Sequence, residues 1–140
     1  MAATDFIWAR NPLPAGQDIS CYNAGGSAIA AKLCVKLDTG NLMGAAQGAP
    51  AVVVTAATTD FPFGVTAEQL PATGYGRVQI GGLAVVQATG AITAGQVVMP
   101  AAAGQVSTQT AGKPQLGQAL NTTASAADPC LVAIHIANNA

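Results

Sequence analysis

Charge is what this chain has least of. Five Lys or Arg and six Asp or Glu among 140 residues make 8%, against roughly 25% in an ordinary soluble domain. With a formal net charge of -1 and no run of Lys or Arg, the chain lacks the basic footprint that phosphate backbones require. Aromatics are equally sparse: Trp8, Tyr22, Tyr75 and three phenylalanines are too few for a base-stacking platform. The single histidine, His135, has no second histidine to share a metal with. The six acids form no close pair of the kind two-carboxylate hydrolysis needs. No uninterrupted apolar run reaches the 18 residues of a membrane-spanning helix. Direct nucleic-acid binding, a transmembrane helix and most hydrolytic chemistry are therefore set aside.

Cysteine is limited to Cys21, Cys34 and Cys130. The number is odd and the spacing matches no zinc motif. Cys34 and Cys130 sit in apolar, strand-like contexts (AAKLCVKL and PCLVAIHI), where a thiol acts as a small hydrophobe. Neither a cofactor nor a metal is expected. Gly74-Tyr75-Gly76 precedes a strand rather than opening a helix, so it is no dinucleotide fingerprint. Gly112-Lys113-Pro114 reads as a turn that carries a lysine. An enzyme is not expected. The N-terminal MAATDFIWARNPLPAG has no basic leader followed by an apolar run, so Sec export is not expected, and the product is expected to stay in, or assemble in, a cytoplasm.

What the chain does have is apolar residues (51%) and 16 glycines, arranged as short strands broken by turns. Residues 1–17 read as an extended arm, with Phe6, Ile7 and Trp8 ahead of a Pro12/Pro14 connector. Those three side chains have two possible destinations, the chain's own body or a neighbour. Residues 18–140 read as one β-rich domain, a small β-barrel or β-sandwich with at most one short helix. Asp18 to Gly26 predicts a strand and turn. Ala28 to Leu37 predicts a strand with Lys32, Cys34 and Lys36 on one face. Thr66 capping a turn over 65–70 is the one helix signal. Two strands are expected to meet at Gly81-Gly82, as a tight turn or as one bulged strand, further strands to follow Gly95, Gly104 and Gly112, and Leu131 to Ile136 to close the domain. VTAEQL (65–70) and ITAGQV (92–97) resemble each other, too short a pair to carry a solenoid.

A 51% apolar composition with so little charge fits a small, Ala-rich secreted or environmental protein, or, as the preferred reading, one whose exterior is covered by other subunits, where charge would carry a desolvation cost. Candidate contact residues are the arm anchors Phe6, Ile7 and Trp8 with Arg10, the Lys32/Lys36 face, and Arg77 beside Tyr75. Trp8 stands first among them, because an indole desolvates much area at little entropic cost.

The run from Gly64-Val65 through Tyr75-Gly76-Arg77-Val78, Gly82-Leu83-Ala84, Ile92-Thr93-Ala94-Gly95-Gln96-Val97-Val98, Gly104-Gln105-Val106, Gly117-Gln118-Ala119-Leu120 and Leu131-Val132-Ala133-Ile134 resembles tailed-phage capsid decoration, or cement, proteins. The resemblance covers residues 64–136 and, more loosely, 18–37. It implies a β-rich protein on the outer surface of an icosahedral head that bridges capsomers against packaged DNA without touching it. It also implies contact with the major capsid protein, and a homo-oligomer, a trimer ahead of a dimer. The rival is a glycan- or receptor-binding β module on a virion or cell surface, which predicts exposed aromatics and carboxylates gathered in one depression; the chain offers few such residues, which counts against it. A jelly-roll shell subunit is a further alternative.

Overall fold

The computed structural model describes residues 18–40 and 49–137. The arm 1–17, and with it Phe6, Ile7, Trp8 and Arg10, lies outside the described residues. Ten strands follow in order: β1 (Asp18–Asn23), β2 (Cys34–Leu37), β3 (Val52–Val54), β4 (Gly64–Thr66), β5 (Gly74–Gln79), β6 (Leu83–Gln87), β7 (Val97–Pro100), β8 (Val106–Thr108), β9 (Gln115–Ala119) and β10 (Pro129–Ala137). They make two five-stranded antiparallel sheets, ordered β1-β5-β4-β2-β3 and β6-β10-β9-β7-β8, in a sandwich-like, mainly β arrangement. A 3-10 turn at Ala102–Gly104 lies between β7 and β8.

The second sheet repeats the first. Replacing β1 to β5 by β6 to β10 reproduces the strand order, and the pairing inside each unit matches residue by residue. Val35 faces Gly64, as Val98 faces Gly117. Thr66 pairs with Val78, as Ala119 pairs with Val132. An isolated antiparallel bridge joins Ile29 to Leu70 in one unit and Ile92 to Thr123 in the other. Single parallel bridges, Tyr22 to Ala51 and Ala88 to Val106, bring the two edge strands of each sheet into contact. Each sheet thereby curls on itself and leaves little open edge, which protects it from edge-to-edge association.

Both units enter their second strand through a residue with positive φ: Lys32 at 66° in the first, Gly95 at 94° in the second. Lys32 therefore interrupts the strand expected over 28–37, which begins only at Cys34. Its amide donates to Thr66 O at 2.9 Å, and its side chain does not share a strand face with Lys36. The helical turn expected at 65–70 is also absent. Gly64–Thr66 is strand β4, and Thr66 Oγ1 instead donates to Ala30 O at 2.8 Å and accepts from Leu33 N at 3.0 Å. The hydroxyl finds partners on the neighbouring segment rather than capping a helix of its own. The turn at Gly81-Gly82 is present, yet β5 and β6 belong to different sheets. There Gln79 Nε2 donates to Gly81 O at 3.0 Å and to Leu83 O.

Each unit has its own core. Cys21, Ile29, Val35, Val52, Leu70 and Val78 fill the first; Val86, Ile92, Val98, Val106, Leu116 and Val132 anchor the second. Cys34 and Val65, register partners on β2 and β4, point away from their own core and join the second cluster. Thr55 Oγ1 donates to Ala101 O at 2.9 Å, Gly104 N to Thr55 O at 3.0 Å, and Gln87 N to Lys32 O at 3.0 Å. The two units are thus welded by apolar packing and buried hydrogen bonds. The matching positions on the second unit, Val97 and Gln118, are half-buried and exposed.

Candidate interaction surface

Period-two alternation decides what the outer face of β1 and β5 presents. Ile19, Cys21 and Asn23 turn inward on β1, as Gly76 and Val78 do on β5, which leaves Asp18, Ser20, Tyr22, Tyr75 and Arg77 on the outer side. The register sets Tyr22 opposite Tyr75 and Ser20 opposite Arg77. The tyrosine rings pack at a centroid distance of 5.0 Å with a tilt of 52°, a favourable aromatic geometry. Arg77 Nη1 lies 3.5 Å from Asp18 Oδ2, and its Nε lies 3.8 Å from Glu68 Oε2. Glu68 Oε2 also accepts from the Arg77 amide at 3.0 Å. The guanidinium remains 62% exposed, so these pairs orient it without removing it from solvent, and each is worth little in stability.

The remaining charges separate. Lys36 is half-buried, with Nζ 2.9 Å from Asp60 Oδ1, so a partner within the chain meets its charge. Asp60 Oδ2 also accepts from Ala56 N at 2.7 Å and Ala57 N at 3.0 Å, closing the turn after β3. Burial acts to raise the Asp60 pKa, but the bonds from Ala56, Lys36 and Ala57 outweigh it and hold the carboxyl below its ordinary value. Asp128 does the same for the turn before β10, accepting from Ala124 N and Ser125 N, which lowers its pKa. Lys32 is exposed and has no ion-pair partner among the described residues.

The thiols are shut away from chemistry. Cys21, Cys34 and Cys130 are all free and buried. Burial pushes Cys21 up to about 11. It pushes Cys34 up to about 12, where the Thr55 hydrogen bond lowers the value and the Asp60 charge adds slightly to the rise. A thiol so raised is a poor nucleophile. His135 is exposed on β10. Among the described residues no three His, Cys, Asp or Glu side chains come together as metal ligands, and no helix is long and apolar enough to cross a membrane.

Of the residues named from sequence, the structure gives Arg77 a constellation, gives Lys36 a partner in its own chain, and leaves Lys32 alone at the seam between the units. Sequence reading missed Asp18, Tyr22 and Glu68 as companions of Arg77. The alternation of Asp18, Ser20 and Tyr22 was the available signal, but only the β1–β5 register brings it to Tyr75 and Arg77.

No protein-family model matches the chain, and no curated protein matches it by sequence. Among solved structures, the chain is similar to the N base of the head fiber protein gp8.5 of bacteriophage phi29, with a TM-score of 0.65 and 14% identity, over 84% of this chain and 94% of that one. At that identity the likeness establishes a shared fold.

Proposed function

We propose that the protein is a surface component of a phage virion, a β module seated on the head in the manner of a fiber base. It presents the face formed by Tyr22, Tyr75, Arg77, Asp18 and Glu68 for recognition. The single observation that carries this reading is the fold likeness to a head-fiber base across nearly the whole of both chains. The aromatic and carboxylate groups collected on and beside β1 and β5 support a recognition role, because paired aromatic rings beside oriented polar groups suit sugar or protein partners. This favours the surface-module reading over a purely bridging one. Capsomer bridging remains as a second reading, on the specific ground that 8% charge suits a chain whose exterior other shell components cover.

Co-sedimentation with phage heads that lack the protein tests the seat, and a glycan panel tests the face. The proposal expects saturable association with heads, and glycan or receptor binding that Tyr75→Ala and Arg77→Ala each reduce at least tenfold, about 1.4 kcal/mol. Association that raises the heat resistance of the heads, with no ligand for the face, would favour bridging. Failure to associate with heads would overturn both.

A further inference from the structure

A second exposed surface is apolar, and nothing described covers it. Leu83 and Val85 on β6, Leu131 and Pro129 on β10, and Leu120 just after β9 line an open groove of about 680 Å³, together with Asn121 and Lys32. Leu120 is 44% exposed. Its position is fixed, because its amide donates to Leu131 O at 2.8 Å and Leu131 N donates to Asn121 Oδ1 at 2.7 Å. The internal repeat shows that this is not a property of the fold itself. The register that pairs Leu83 with Ala133 and Val85 with Leu131 pairs Asp18 with Gln79 and Ser20 with Arg77 in the first unit. There the corresponding face is polar and ion-paired. An apolar face where the twin is charged calls for a cover.

We infer that the groove is the seat of the chain's own N-terminal segment Phe6-Ile7-Trp8. Three observations on position and chemistry converge on this occupant. First, the described chain starts beside the groove: Asp18 pairs with Gln79, whose side chain donates to Leu83 O. The ten residues from Trp8 to Asp18 reach up to about 33 Å, ample for the distance. Second, Phe6-Ile7-Trp8 is the only run of three consecutive large apolar side chains in residues 1–17, and its size suits a groove of this volume. Third, Asp5 precedes it, so the segment brings a carboxylate to Lys32, whose ammonium has no ion-pair partner among the described residues.

Trp8 is the chain's only tryptophan, so its fluorescence reads the docking directly. In the intact protein its emission is expected to be blue-shifted from that of the unfolded chain, to resist acrylamide, and to stay unchanged on dilution. Trypsin cleavage after Arg10 should be slow. Leu120→Glu and Val85→Lys, each placed on the open face, should shift the emission to the red, raise quenching several-fold and speed cleavage at Arg10, while circular dichroism and thiol protection hold. A solvated Trp8 in the intact protein overturns the inference. So does a buried one that neither substitution moves, or one buried only at concentrations where the protein self-associates. The test uses free protein alone, so its outcome is independent of whether the protein binds heads.

Discussion

At the residue scale, two glycines in the second unit show that one amino acid serves two physical needs. Gly95 has φ of 94°, and a Cβ there would meet nothing within 4 Å, so only its conformation requires glycine. Gly117 is the reverse case. A Cβ there would stand 2.0 Å from Ala133 O, and its twin Gly64 would place one 2.4 Å from Gln79 O. Gly95→Ala is therefore expected to cost about 1 kcal/mol, and Gly117→Ala about 2–3 kcal/mol because the β9–β10 pair must part. Gly90→Ala, with open space around it, should change little. Urea titration of the three variants checks the ranking, and a Gly117→Ala variant as stable as Gly90→Ala would refute the close-approach account. The first unit tolerates Lys32 where the second uses Gly95, which is why the expected strand over 28–37 failed: a single left-handed residue leaves no mark on a period-two pattern.

The thiols make a further prediction at the same scale. With Cys21 and Cys34 raised to about 11 and 12, and all three cysteines buried, native protein at neutral pH should react with a disulfide reagent at less than one thiol per chain. Unfolded chain should release all three. Rapid labelling of the native protein would contradict the packing of Cys34 between the units.

At the scale of elements, strand existence was legible and strand partnership was not. Alternation and turn residues marked most of the ten strands, from Asp18–Asn23 to the closing strand. They marked no pairing, because register depends on contacts far apart in the chain. Gly81-Gly82 reads locally as a tight turn or as a bulge in one strand, and nothing local says that its flanking strands leave for different sheets. The internal repeat stayed hidden for the same reason. VTAEQL resembles ITAGQV in letters, but the segment equivalent to Ile92–Val98 is Ile29-Ala30-Ala31-Lys32-Leu33-Cys34-Val35, which shares only Ile29, Ala31 and Val35 with it in place.

Turn chemistry gives an element-scale test of pH. The folded Asp60 carboxyl titrates below its unfolded value. Its contribution is present above the unfolded value and lost as pH falls through the folded one. The Tm difference between the protein and Asp60→Asn should therefore shrink on going from about pH 6 to about pH 3. A difference that grows on acidification would reverse the assigned sign.

For the whole molecule, the two units share a core cluster, since Cys34 and Val65 of the first pack into the second. Thr55 adds a buried bond to Ala101 O. Calorimetry should accordingly show one transition, and Thr55→Val should lower its midpoint without splitting it. The expected loss is about 1–2 kcal/mol, because Ala101 O is left without its donor. Two separate transitions would mean that the units are independent. The scarcity of charge was visible from composition and pointed outward to partners. The face that would meet them was not visible, because Asp18, Tyr22, Glu68, Tyr75 and Arg77 are brought together only by folding.

The account's central claim is that this protein lives on the outside of a phage particle. Mass spectrometry of gradient-purified particles, with and without brief surface proteolysis, measures that most directly. The account predicts that its peptides are present in intact particles and are depleted by the protease while shell and DNA stay whole. Absence from the particles, or full protection inside an intact shell, would contradict it.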